Sequence, residues 1–200
     1  DVAMIKPGSW IGGDHDGNPY VTAETLRYAT NRAAEVVLKY YARQLHALEH
    51  ELSLSDRHSE VTVELVELAS KGHNDVPSRA DEPYRRAVHG IRGRIMATMA
   101  QLIGPNSVEG TWFKVHEPYK SPEDFTADLN VIDASLRVAN DQLIADDRLA
   151  RIRAAAASFG FHLYSMDLRQ NSDSYEEILT EVFAAAHICD DYSVLSEEQK

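Results

Sequence analysis

One cysteine, Cys189, among 200 residues leaves no partner for an internal disulfide, so the chain is not one of the small secreted scaffolds that staple a thin core together. No apolar run approaches the ~18 residues that a membrane-spanning helix needs, and no secretory leader is expected. Cations are also scarce: 20 Lys+Arg stand against 32 Asp+Glu, a formal net charge of −12. Neutralising a phosphate backbone takes a basic face, which excludes a general nucleic-acid binder. These absences lead us to expect a soluble protein of a reducing compartment, the cytoplasm, with neither membrane nor nucleic acid among its partners. An anionic small molecule is compatible with the charge balance, provided arginines gather locally within the acidic exterior. The chain opens at Asp1 and stops at Ser196-Glu197-Glu198-Gln199-Lys200, which reads as the first turn of a helix, so a piece of a longer polypeptide is the expectation.

Glycine and proline are few, 10 and 7, and they fall where hydrophobic periodicity breaks. From Thr22, a good N-cap, apolar residues recur at helical spacing through Leu26, Ala29, Ala33, Val36, Val37, Tyr40, Tyr41, Leu45, Leu48 and Leu52, which predicts a helix of about 28 residues. A shorter helix is expected over roughly 60–71, closed by Gly72, and a third from Glu82-Pro83 to about Ile103, closed by Gly104-Pro105. Further helices are expected over roughly 122–140, 146–159 and 174–186. Only two segments, near 9–12 and 161–168, read as strands. Each ends in polar residues, Gly13-Asp14 for the first and Arg169-Gln170-Asn171 for the second, as in an α/β barrel that places its chemistry where strands give way to loops. The expected fold is therefore mostly α: a segment of an α/β (TIM-type) barrel enzyme with extensive helical elaboration and two short barrel strands. Two strands cannot close a barrel, which again points to missing sequence, and no internal domain boundary is expected within residues 1–200.

Residues 8–22, GSWIGGDHDGNPYVT, concentrate the unusual chemistry. Asp14, Asp16 and Asn18 occupy alternate positions, as the first ligands of a calcium loop do, but the sharp-turn glycine and the bidentate glutamate of that loop are replaced by Pro19 and Thr25. Trp10 is either an aromatic packed in a core or a wall beside a small ligand. The Gly12-Gly13 pair favours the second reading, since strand glycines mark the close approach of a ligand or of another backbone. Asp14, Asp16 and Asn18 either turn the chain into the following helix or orient arginines in an anion pocket. Arg169 is either a surface arginine paired with Asp173 or a planar fork gripping a carboxylate or phosphate from a rigid strand end. His46-Ala47-Leu48-Glu49-His50 matches a reversed zinc-protease pattern, yet a solvated helix face is the simpler account, because a zinc site also needs a third ligand and an open position. Arg85, Arg86, Arg92 and Arg94 form a stripe with His89; such stripes are solvated, pair with acidic neighbours, or face an anionic effector or a neighbouring subunit.

Gly8-Ser9-Trp10-Ile11-Gly12-Gly13-Asp14-His15-Asp16-Gly17-Asn18-Pro19 resembles the S-W-x-G-G-D-R-D-G-N-P signature of the phosphoenolpyruvate carboxylase family, and Met166-Asp167-Leu168-Arg169-Gln170 resembles its D-[IVL]-R-Q-E segment. Glu82-Pro83-Tyr84-Arg85 and Arg92-Gly93-Arg94-Ile95-Met96-Ala97-Thr98 are similar to its E-P-Y-R and R-x-R-L-x-x-T stretches, in the same order. The resemblance spans essentially the whole chain, with two departures: His15 stands where most members have arginine, and Asn171 where most have glutamate. The resemblance implies attack of bicarbonate on the phosphorus of phosphoenolpyruvate, then carboxylation of the released enolate to oxaloacetate with loss of inorganic phosphate, assisted by Mg or Mn. It implies that Arg169 is catalytic and binds the substrate's anionic groups together with Gln170, that Trp10 lines the pocket near the methylene end, and that Asp14, Asp16 and Asn18 orient the site. It implies an allosterically controlled homotetramer. The family's T-A-H-P-T-E histidine, acidic metal ligands and mobile glycine-arginine loop are not matched in these residues, so the isolated segment is expected to be inactive, with its metal ligands elsewhere. The rival expectation is a non-enzymatic helical module that binds an anionic partner through the arginine stripe; a regulatory fragment of the same enzyme is a third.

Overall fold

The computed structural model describes residues 5–189, 191–196 and 198. The helical turn expected at the C-terminal end falls on Glu197, Gln199 and Lys200, which lie outside the described residues. The described structure is mostly α, with two strands of two residues each. The first helix, α1 (Ala23–Glu51), runs 29 residues. It starts where Thr22 and Thr25 exchange hydrogen bonds, each hydroxyl accepting from the other's backbone N–H at 3.4 and 3.3 Å, which satisfies orphan donors of the first turn. Helix α2 (Val63–Ser70) is capped by Thr62, whose hydroxyl accepts from Leu65 N at 3.3 Å. Helix α3 (Pro83–Leu102) begins with proline at a position where no amide is needed. Helix α4 (Pro122–Val138) is capped by Ser121, which accepts from Asp124 N at 3.2 Å.

The helix expected over 146–159 is not continuous. A short α5 (Gln142–Ile144) passes through a wide π-type turn over Ala145–Leu149, with Asp147 at φ −97°, ψ −115°, before α6 (Ala150–Phe159) resumes regular geometry. Within that turn Arg148 reaches across to α1, to Glu51 at 2.8 Å and Gln44 at 2.6 Å. A last helix, α7 (Ser172–Ala185), is capped by Asn171, which accepts from Asp173 N at 3.0 Å. This gives the Asn171 departure a local reason, because asparagine is among the best N-caps.

The strands are shorter than their sequence signals. They are β1 (Gly8–Ser9) and β2 (Ser165–Met166). Residues 10–13 fold into a turn instead of extending β1, and Phe161–Leu163 wind down α6, with His162 N and Leu163 N both donating to Phe159 O at 3.2 and 2.9 Å. The apolar character of Phe161 comes from helix packing, since its ring joins Phe125 and Tyr119 in the core.

The chain divides into two compact units, Asp1–Pro7 with Thr30–Ser165 and Gly8–Ala29 with Met166–Lys200. The larger holds the core. Leu38, Tyr41, Leu45 and Leu48 of α1 pack with Leu65 of α2, Tyr84, Ile91 and Ile95 of α3, Phe125, Leu129 and Ile132 of α4 and Ile152 of α6, all essentially inaccessible. Each such side chain contributes ~1.5–3 kcal/mol on burial. Its buried phenols are satisfied: Tyr41 donates to Ala155 O and Gly160 O at 3.1 and 2.9 Å, Tyr84 meets Ser135 Oγ at 2.9 Å, and Tyr119 donates to Asp128 Oδ2 at 2.7 Å. Among the described residues no helix is long and apolar enough to cross a membrane. The smaller unit contains the Trp10 turn, the end of β2 and α7.

Candidate functional site

The site begins with a mismatch between two strands that run in the same direction. Ser9 O accepts from Asp167 N at 2.9 Å and Gly13 O accepts from Arg169 N at 3.0 Å, while His15 N donates back to Arg169 O at 2.7 Å. Between the first two bonds one strand advances four residues and its partner two. The surplus is taken up by a turn in which Gly13 N donates to Trp10 O at 2.9 Å and Ile11 N to Ser9 Oγ at 3.2 Å. Both glycines of the pair are required there. Gly12 has φ +90° and a Cβ on it would lie 2.5 Å from Ala29 Cβ, while a Cβ on Gly13 would lie 2.7 Å from the Asp167 carbonyl oxygen. The close approach that the glycines mark is thus to this protein's own helix and strand. The turn leaves Trp10 at the surface, 55% exposed, and so outside any core of the described chain.

The same ladder puts the Arg169 side chain between two carboxylates. Its Nη1 lies 3.6 Å from Asp14 Oδ2 and its Nη2 3.6 Å from Asp16 Oδ2, and Arg169 itself is 53% exposed. Asp173 is not the partner; it lies in the first turn of α7 and its backbone N–H donates to Asn171 Oδ1. Two exposed pairs of this length contribute ~1 kcal/mol together at most. Their main effect is directional, holding the guanidinium by charge at a distance beyond hydrogen bonding. Among the described residues its five N–H donors remain available to another acceptor. The three groups sum to a charge of −1.

The Asx residues turn the chain, and two of them also face the arginine. Asp14 Oδ1 accepts from Asp16 N at 3.3 Å and Asn18 Oδ1 from Tyr20 N at 3.1 Å, which turn the chain toward α1, and the remaining Asp14 and Asp16 oxygens face Arg169. The Gln170 side chain turns back on its own strand, its Oε1 accepting from Asn171 N at 2.9 Å. The structure therefore brings Arg169, Asp14 and Asp16 into contact, and it places Trp10, Asn18 and Gln170 in the same unit with other hydrogen-bond roles or open to solvent.

The arginine stripe is neutralised within the larger unit. Arg85 pairs with Glu82 at 3.3 Å, Arg86 with Asp75 at 3.2 Å, Arg92 with Glu49 at 3.3 Å and Arg94 with Asp128 at 2.7 Å. Arg94 also stacks over Tyr119, 3.8 Å from its ring centre. Glu49, the central residue of the zinc-like pattern, is buried and contacts His89 at 3.0 Å and Arg79 at 3.6 Å as well as Arg92. Burial alone would raise its pKa; the hydrogen bond with His89 and the charges of His89, Arg92 and Arg79 outweigh that and hold it below the usual carboxylate range. Sequence reasoning missed Glu49 as a hub, although its place one residue after Leu48 and four after Leu45 put it on the buried face of α1. His116 was missed too. Its ring lies against Gly93 and near His73, at 5.2 Å between centres. Burial first, then His73, His89 and Arg94, lower its pKa to about 4.

Among the described residues no group of three or more His, Cys, Asp or Glu side chains is arranged to hold a metal ion. Asp14 and Asp16 face a guanidinium, so the residues present do not make a site for a divalent cation.

Comparison with known proteins adds a second line. The family model for phosphoenolpyruvate carboxylase matches residues 1–200. The chain is 69% identical over 197 residues to a phosphoenolpyruvate carboxylase of Corynebacterium glutamicum, covering 98% of this chain and 21% of that protein. It is 63% identical over 199 residues to the enzyme of that name from Corynebacterium efficiens, covering 100% and 22%, and 46% identical over 197 residues to that from Mycobacterium leprae, covering 98% and 21%. The chain therefore spans about a fifth of the length of the curated relatives it matches.

Proposed function

Because the chain belongs to the phosphoenolpyruvate carboxylase family, we propose that it is part of a longer enzyme that carboxylates phosphoenolpyruvate with bicarbonate, giving oxaloacetate and inorganic phosphate. The observation that carries this reading at residue level is Arg169: a guanidinium at a strand end, steered by Asp14 and Asp16 at 3.6 Å, with its hydrogen-bond donors uncommitted among the described residues. Phosphoenolpyruvate presents a phosphate and a carboxylate, both matched by a planar fork of parallel N–H groups. As bicarbonate attacks phosphorus, the bond from phosphorus to the enol oxygen breaks and the enolate oxygen gains charge. A fixed cation stabilises that charge more than it stabilises the ground state. Trp10 supplies an apolar face for the methylene carbon that is carboxylated, and keeps water from protonating it. Asp14 and Asp16 orient the fork, Asn18 fixes the turn that carries them, and Gln170 adds a polar group for the substrate at the same strand end.

The −1 sum over Arg169, Asp14 and Asp16 means that an anionic substrate needs further cations. In this reading those cations, the Mg or Mn ligands and the remaining strands of a TIM-type barrel belong to the four fifths of the enzyme outside this chain. The whole protein is a cytoplasmic homotetramer under allosteric control, and residues 1–200 are one segment of it. The helical-module alternative is weakened by the pairing of all four stripe arginines with acidic residues. The test is a coupled assay in which oxaloacetate is reduced by malate dehydrogenase and NADH. Phosphoenolpyruvate- and bicarbonate-dependent turnover by the longer protein supports the reading, and its absence removes it. Turnover by the 200-residue segment alone would relocate the chemistry.

A further inference from the structure

A second feature lies in the helical unit and does not depend on the carboxylase reading. Along α1, Arg32, Val36, Lys39, Arg43 and His46 follow one another at spacings of three or four residues and so share a face. On α3, Arg92, Met96 and Met99 do the same. These faces and residues 107–109 line an open cavity of about 640 Å³, within the size range of small-molecule sites. Val36, Met96, Met99 and Val108 give it an apolar lining, and methionine adapts to varied shapes. The charged groups of its wall are Arg32, Lys39, Arg43 and Arg92 against Glu35 and Glu109, an excess of two positive charges in a chain whose net charge is −12.

The cations differ in their availability. Glu35 engages both Arg32 and Lys39, at 2.5 and 2.6 Å, and Arg92 is tied to Glu49 by one nitrogen. Arg92 Nε stays buried without a hydrogen-bond acceptor. Arg43 makes no hydrogen bond or ion pair among the described residues. His46, on the same wall, is held below its ordinary pKa first by burial and then by Arg92 and His50, with Glu49 opposing.

We infer that this cavity binds a small amphipathic anion, an aryl or alkyl body bearing a single carboxylate, sulfonate or phosphate head. The apolar lining takes the body and Arg43, with the partly satisfied Arg92 behind it, takes the head. With one uncommitted cation, the site suits one anionic group and not a polyphosphate.

The probe is 8-anilinonaphthalene-1-sulfonate, titrated by fluorescence into the full-length protein at physiological salt. Three variants are compared with the parent: Arg43→Glu, Val36→Asp, and Arg151→Glu as a control making the same charge change on α6. Reversing the charge of the head's partner removes an attraction and adds a repulsion, which together weaken binding by about tenfold or more. We expect that loss for Arg43→Glu and a comparable one for Val36→Asp, with the control within about twofold of the parent. All three substituted side chains are exposed, so folding is not at stake, and circular dichroism checks it. Binding by Arg43→Glu within about twofold of the parent overturns the inference. So does equal affinity of the parent for uncharged N-phenyl-1-naphthylamine, because then the cations contribute nothing.

Discussion

Replacing Gly13 by alanine asks whether the strand pair, and not the identity of Arg169 alone, makes the site. The added methyl would lie 2.7 Å from the Asp167 carbonyl oxygen, 3.1 Å from Leu168 Cδ2 and 3.2 Å from Met166 Sδ. Ordinary contact begins at 3.4 Å, so the carbonyl must withdraw by about 0.7 Å, and as backbone it cannot rotate aside. The flanking bonds, Arg169 N to Gly13 O at 3.0 Å and Asp167 N to Ser9 O at 2.9 Å, stretch as it does. Each is worth ~1 kcal/mol net, and overpacking adds roughly 1–3 kcal/mol. Arg169 moves with its strand. A substrate clamp displaced by about 1 Å loses on the order of 100-fold in rate. In the full-length enzyme we expect kcat/KM for phosphoenolpyruvate to fall by about 30- to 100-fold in Gly13→Ala, with helical content retained. Gly17→Ala is the control. Its φ of +69° imposes a strain of ~1–2 kcal/mol on a side chain, but no atom lies within 4 Å of the new methyl, and activity should stay within about threefold of the parent. If Gly13→Ala is as active as Gly17→Ala, the register of the two strands does not set the site and the reasoning fails.

Two further predictions concern the helical unit, each read by hydrogen-exchange protection of α3 amides in the full-length protein. A methyl on Gly93 would lie 2.2 Å from His116 Cδ2; Gly93→Ala gains ~1 kcal/mol of helix propensity but meets a buried ring, so it should destabilise by about 1–3 kcal/mol. In a His116→Ala background the same substitution should become stabilising, and the same sign in both backgrounds would contradict this packing. The pH prediction follows from His116, whose folded pKa of about 4 lies below the unfolded value of 6.5. Between these values the unfolded chain holds a proton that the native chain lacks, so stability falls as pH drops from about 6.5 toward 4. From pH 7.5 to 5 the loss should be about 1–2 kcal/mol, below the full linkage value because the neighbouring His73 is exposed and screened. His116→Gln should remove most of this slope and leave the part due to His46, which is also held below its ordinary pKa; Glu49, whose pKa is lowered, then adds its own loss only below the ordinary carboxylate range. An unchanged slope in His116→Gln would assign the acid sensitivity elsewhere.

The helices were legible because each states itself locally. Thr22, Thr62, Ser121 and Asn171 all make the capping bonds that their residue types favour, and of the apolar stripe of α1 Ala33, Val37, Tyr41, Leu45 and Leu48 are buried while Val36 is exposed. The strands were overread. The extended look of Phe161–Leu168 came from Phe161 and Leu163, whose burial is decided by α4 and α6 and not by a sheet face. Asp147 gives no warning in sequence that the helix around it will widen. The motif glycines and acids fall in one unit with Arg169, but the pairing of Asp14 with Arg169 depends on a parallel register between residues 155 apart, which no local signal encodes. The same holds for Glu49, whose three partners Arg79, His89 and Arg92 lie 30 to 43 residues away. The Gly12-Gly13 pair, read as room for a ligand, is accounted for by Ala29 and the Asp167 carbonyl; the argument for a substrate therefore rests on Arg169.

That argument is tested most directly by steady-state kinetics of the full-length enzyme with Arg169→Ala and Arg169→Lys. A bidentate clamp on a reacting anion predicts a fall in kcat/KM for phosphoenolpyruvate of ~100-fold or more for alanine. Lysine, which keeps the charge and loses the fork, should recover only part of it. Alanine activity within about threefold of the parent would contradict the account, because a guanidinium that the substrate does not touch can be removed at that small cost.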